Sequence, residues 1–112
     1  MSLGPQIVTY GNLASTFLLN LTISPTIVNA NTTSQQTFTL SGLQTTDQIS
    51  GVSKPTYQTG LIITGGLCTA TNVLTIQFAN VTGSGITPTA GETYVIEVNR
   101  PANQNPQPGV IQ

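Results

Sequence analysis

The sequence is nearly without charge. Asp47, Lys54, Glu92, Glu97 and Arg100 are its only charged side chains, 4% of 112 residues, where soluble domains carry about 25%. A net charge of -1 excludes disorder driven by high net charge and the basic patch with which proteins hold nucleic acid. Histidine is missing, so neither a His-based triad nor an imidazole metal site can be built. The single cysteine, Cys68, can form no intrachain disulfide and no thiolate zinc site. Its place in Leu67-Cys68-Thr69-Ala70 reads as a small buried hydrophobe. Tryptophan is missing too and aromatics are 5%, so the core must rest on Val, Ile and Leu with three Phe and three Tyr. No apolar run approaches the ~18 residues needed to span a bilayer. The first residues, MSLGPQ, lack the basic start and apolar run of a signal peptide. Synthesis in a cytoplasm and no membrane partner are the expectation.

What remains is Thr, Ser, Asn, Gln and Gly around a modest aliphatic content. Uncharged polar groups cost less to desolvate than ions, so such a surface can be buried against neighbours cheaply. It also offers little repulsion to hold copies apart. The length suits one domain, and Thr and Val favour pleated, half-buried positions.

Period-2 alternation dominates the chain. The central stretch is Asn72 to Pro101. Leu74, Ile76 and Phe78 alternate with Thr75 and Gln77, and Tyr94, Ile96 and Val98 alternate with Thr93, Val95 and Glu97. The connection from Gly83 to Gly91 contains Pro88 and is too long for a two-residue turn, which predicts a hairpin-like pair joined by a surface loop. Earlier, Leu19, Leu21 and Ile23 share a face within Leu18 to Ala30, and Pro25 interrupts the ladder. Asn29 to Ser34 reads as a turn cluster. Gln36 to Leu40 is a strand with Phe38 and Leu40 inward, and Thr46 to Val52 a short one carrying Asp47. Gly60 to Ala70 is strongly apolar and expected to be central, with a bulge or sharp bend at Gly65-Gly66. No sustained 3.6-residue period occurs. The expectation is all-β: an antiparallel, jelly-roll-like β-sandwich of about six to eight strands over residues 19–100. An N-terminal arm and early strand (1–18) and an extended Pro-, Asn- and Gln-rich tail (101–112) flank it.

Candidate chemistry is thin. Asp47, Glu92 and Glu97 are the whole carboxylate inventory, and a glycosidase needs two flanking one bond. Solvated positions or ion pairs with Lys54 or Arg100 are preferred, and no catalytic residue, cofactor or metal is expected. Gly83-Ser84-Gly85 precedes a Pro-containing loop, not the helix a phosphate loop requires. Asn20-Leu21-Thr22, Asn31-Thr32-Thr33 and Asn80-Val81-Thr82 match the glycosylation pattern, and coincidence is preferred in a chain this rich in Asn and Thr. Lys54 and Arg100 each precede a proline at a strand end. They could bind an anion; balancing the scarce carboxylates at a strand end or subunit contact is preferred.

From about Ile27 to Pro101 the chain resembles the small β-sandwich virion proteins of tailed bacteriophages, above all capsid decoration or cement proteins. Asp47, Val52-Ser53-Lys54-Pro55-Thr56, Gly60-Leu61, Asn72 through Thr82 and Ile86 through Tyr94 carry the likeness. The resemblance implies a non-enzymatic homotrimer on the outer capsid surface that locks neighbouring major capsid protein subunits. It carries over no catalytic residues. Asp47, Lys54, Glu92, Glu97 and Arg100 are the candidate interface or ion-pair residues. Ile7, Val8 and Leu13 in one terminal segment, and Val110 and Ile111 in the other, are apolar residues expected to dock on a neighbouring chain. The alternatives are a phage tail or fibre module binding host glycan through Tyr10, Tyr57 or Tyr94, and, least favoured, a small hydrolase.

Overall fold

The computed structural model describes residues 13–101. Ile7, Val8, Tyr10, Val110 and Ile111 lie outside them. Six strands follow in order: β1 (Leu13–Ile23), β2 (Thr32–Thr39), β3 (Gln48–Ser53), β4 (Leu61–Ala70), β5 (Val73–Asn80) and β6 (Glu92–Pro101). Two three-stranded antiparallel sheets form, ordered β1-β6-β3 and β2-β5-β4, and pack as a small β-sandwich. Among the described residues no helix is long and apolar enough to cross a membrane.

The two halves of the Asn72–Pro101 stretch are the central strands of opposite sheets, not a hairpin. Residues 81–91 carry the chain from β5 across to β6. Alternation fixes which face of a strand is buried, and each of these strands buries its face against the other's. Leu74, Ile76 and Phe78 of β5 meet Tyr94, Ile96 and Val98 of β6, all wholly buried. Val28 and Ile86 form an isolated bridge with N–H···O distances of 2.8 and 2.9 Å. That bridge ties the β5–β6 crossover to the β1–β2 crossover over one end of the sandwich.

Other expectations shift with this. The apolar Gly60–Ala70 stretch is β4, an edge strand. Its register slips at Ile63/Gly65 and again at Cys68/Ala70, the bulge signalled by Gly65-Gly66. Gly66 shows why a glycine sits there. A Cβ would stand 3.0 Å from Val52 Cγ2 and 3.1 Å from Ile49 Cγ2, so the close approach of β3 and β4 leaves a side chain there no room unless its neighbours shift. Asp47 is not in a strand: it ends a turn whose N–H reaches Gln44 O at 2.9 Å, and β3 begins one residue later. The Asn29–Ser34 turn cluster shrinks to Ala30-Asn31, with Asn31 at φ 54, and β2 starts at Thr32. Leu13 is not in an arm. It opens β1 and pairs with Pro101, itself the last residue of β6. Among the described residues the only hairpin is β4–β5, turning at Thr71-Asn72 with Asn72 at φ 65.

Candidate functional site

Strand β6 places the charges. Its inward face reads Glu92, Tyr94, Ile96, Val98, Arg100, because alternate side chains share a face. The apolar centre is flanked by one carboxylate and one guanidinium, roughly 26 Å apart at ~3.3 Å per residue. Each finds its partner on a loop at its own end of the sandwich.

At the end where β1 starts and β6 finishes, Arg100 grips Asp47 with both ends of its fork. Arg100 Nε donates to Asp47 Oδ1 at 2.8 Å and Nη2 to Oδ2 at 2.7 Å. Gln44 N–H adds a bond to Oδ2 at 2.8 Å. Arg100 Nη2 also donates to Gly42 O at 2.6 Å, and the guanidinium lies 5.0 Å from the centre of the Phe17 ring. Asp47 is covered, yet the Arg100 hydrogen bonds, opposed by burial, hold its carboxyl below the usual range. Asn72 completes this end: its backbone bonds Leu40 and Leu43, and its side chain accepts from Gly42 N–H at 2.8 Å.

At the opposite end, Glu92 Oε2 accepts from Thr56 Oγ1 at 2.6 Å, and Oε1 lies 2.9 Å from Lys54 Nζ. That second contact is an ion pair without the angle of a good hydrogen bond. Lys54 Nζ donates instead to Thr56 O at 2.9 Å and to Oγ1 at 3.0 Å. Thr56 first, then Lys54, lowers the Glu92 carboxyl. Four of the five charged side chains are thus paired, one pair per end. Glu97 stands apart, exposed on the outer face of β6.

Asn80 organises the loops at the Glu92 end, a role the sequence reading missed. It is buried at the end of β5. Its Nδ2 donates to Val28 O at 3.0 Å and Ser84 O at 2.7 Å, and its Oδ1 accepts from Thr82 N at 2.8 Å and Oγ1 at 2.7 Å. Every polar valence of the amide is used, so this glycosylation pattern is closed to modification in the folded chain. Asn20 and Asn31 are exposed. Cys68 is buried, with Sγ donating to Ala70 O at 3.1 Å, and burial pushes its thiol up.

The outer faces are neutral ladders. Thr16 Oγ1 donates to Asn99 Oδ1 at 2.6 Å, Thr22 pairs with Thr93 at 2.8 Å, Gln35 with Gln77 at 3.1 Å, and Thr69 with Thr75 at 3.0 Å. A groove of about 530 Å³ opens beside the β3–β4 connection, between Lys54, Tyr57, Leu61 and Ile62. Tyr57 is fully exposed at its rim and Tyr94 is fully buried. No family model, curated protein or solved structure matches this chain. Among the described residues no three of His, Cys, Asp or Glu stand close enough together to hold a metal ion.

Proposed function

We propose that this chain is a non-enzymatic structural protein of a virion. On this reading it decorates the outer surface of a tailed-phage capsid as a homotrimer bound to the major capsid protein, after synthesis in the host cytoplasm. One observation carries the proposal. The charges are drawn to the two ends and paired there, leaving two sheet faces of uncharged side chains, Thr, Asn and Gln with exposed Leu18, Ile62 and Leu67 among them, and Glu97 as the only charged side chain on either face among the described residues. Such faces can be covered without stripping water from ions. The likeness of Val52–Thr56, Asn72–Thr82 and Ile86–Tyr94 to decoration proteins points the same way.

The test is occupancy on purified particles by cryo-EM across a salt series. Docking through ion pairs weakens as screening shortens to roughly 3 Å at 1 M salt, whereas apolar burial and neutral hydrogen bonds are screened little. Occupancy is expected to survive molar sodium chloride. A steep fall between low and physiological salt would overturn the proposal. A second reading, a tail or fibre module binding host glycan, is favoured by Tyr57 alone: an aromatic standing free beside a groove with polar neighbours is suited to stack on a sugar. Glycan-array binding lost on Tyr57→Ala would select it.

A further inference from the structure

The two sides of the sandwich differ. On one, β3 closes on β4 across Gly66, and both edges are bulged, at Ile49/Gly51 in β3 and at Ile63/Gly65 in β4. Bulges spoil an edge as a template for another strand. On the other side, β1 keeps an unbroken register from Ser15 to Ile23 and β2 from Thr32 to Thr39. Among the described residues each is an edge strand, paired on one side only. Neither carries Pro or a charge; no charged side chain occurs anywhere before Asp47. Lys, Pro and bulges are the usual protection of an edge, and β1 has none along its regular span. The core is also less closed here: Phe17 and Leu19 of β1 and Phe38 of β2 are only partly buried, and Leu18 is 64% exposed on the outer face.

Twelve residues precede Leu13, and Gln6-Ile7-Val8-Thr9-Tyr10 among them is β-branched and aromatic, the composition that suits a half-buried strand. We propose that residues 6–10 of a second copy of this chain add as a strand to the free edge of β1. The chain's own segment fits less well. Were it to fold back through a two-residue turn at Gly11-Asn12, Tyr10 would stand opposite Leu13 and Gln6 opposite Phe17, which would put an amide against the open mouth of the core. A segment from a second copy has no such tether. It can slide to a register that sets Ile7 or Val8 beside Phe17 or Leu19, since a one-residue slip exchanges the faces. This deepens the self-association proposed above, and its test uses the free protein without any capsid, so the two can fail separately.

The test places Ile7→Cys or Val8→Cys, one of which faces outward in either register, in the full chain together with outward-facing Thr16→Cys, Leu18→Cys or Asn20→Cys, one pair at a time, under mild oxidation. Cys68 is buried and stays in place. At least one pair should give a disulfide between chains on a non-reducing gel, and neither Ile7→Cys nor Val8→Cys with Thr64→Cys on β4 should give any. A disulfide confined to one chain, or none at any β1 position, would overturn the proposal. Full-length Ile7→Lys/Val8→Lys, checked for folding by circular dichroism, should move from oligomer to monomer in light scattering. An oligomer that persists, or a wild-type chain that is monomeric at micromolar concentration, would overturn it equally.

Discussion

Tyr94→Phe should make this protein more stable. Tyr94 is wholly buried on the inward face of β6, and its hydroxyl has no hydrogen-bond partner among the described residues. A buried donor left unpaired costs about 1–3 kcal/mol. Phe keeps the ring's packing and gives up the contacts of one oxygen, worth a few tenths at ~0.1–0.2 kcal/mol per atom pair. The net expectation at neutral pH is a gain of about 1 kcal/mol, which raises Tm by roughly 4–8 °C in a domain of this size. The alkaline limb gives an independent check. Burial first, then the Glu92 charge, pushes the phenol from 10.0 up to about 12. The folded state therefore keeps a proton that the unfolded chain releases. Stability is complete below pH 10 and declines as pH rises towards 12, by on the order of 1–2 kcal/mol over the range that can be measured. Tyr94→Phe should remove that share of the decline. Urea melts followed by circular dichroism from pH 7 to 11.5, wild type against variant, measure both effects. A variant less stable by 1 kcal/mol or more at pH 7 would show that the hydroxyl is bonded, and an unchanged alkaline slope that the phenol is not shifted; either result would refute its half of the argument.

Asp47→Asn should cost about 2 kcal/mol at pH 7, since one of the two oxygens that accept from Arg100 becomes an NH2 that cannot and the other loses its charge. Because Arg100 lowers the folded carboxyl below 3.8, wild type should lose this margin as pH falls below that value, and the variant should show a flatter acid limb in the same melts. Gly60 sits at φ +82, and a Cβ there would overlap Thr82 Cγ2. Gly60→Ala should cost about 3 kcal/mol, of which the left-handed backbone accounts for about 1–2; adding Thr82→Ser should restore only the overlap share. Asn80→Ala strips partners from Val28 O, Ser84 O and Thr82 N and should cost about 3 kcal/mol, with protease cleavage appearing first within residues 81–91.

Alternation made the faces legible and left the sheets undetermined. Leu74, Ile76, Phe78, Tyr94, Ile96 and Val98 were readable as one core because period 2 marks the buried side of a strand whichever strand lies next to it. It is silent on whether β5 and β6 are hydrogen-bonded neighbours or stacked ten ångströms apart, at the ~10 Å usual between sheets. That choice is made by contacts distant in sequence: the Val28–Ile86 bridge and Asn80's hold on Val28 and Ser84. Apolar content misled at β4, where Ile62 and Leu67 are 47% and 62% exposed on an edge. The glycines there serve a bulge and a close approach, not a central position. The ends of β6 were within reach. Extending the Tyr94–Val98 alternation by two residues each way lands on Glu92 and Arg100, so both could have been assigned inward. Their partners could not, because Asp47 and Lys54 reach them from loops.

The inward placement of Glu92 and Arg100 has a consequence for the outside. A strand that turns its only two paired charges towards the core withdraws them from the surface, and their partners follow. The faces are left to Thr–Thr, Thr–Asn and Gln–Gln pairs, which satisfy one another across strands, and to exposed Leu18, Ile62 and Leu67 between them; none of these repels a neighbour. The same chain leaves β1 long, regular and uncharged at a free edge, next to the least closed part of the core. Each feature alone is a hazard for a free monomer, since neutral faces do not keep copies apart and an unguarded edge invites another strand. Both cease to be hazards once the edge is paired and the faces are covered. The distribution of five charges and the unguarded edge are therefore the two features that the proposed self-association would turn from hazards into contacts.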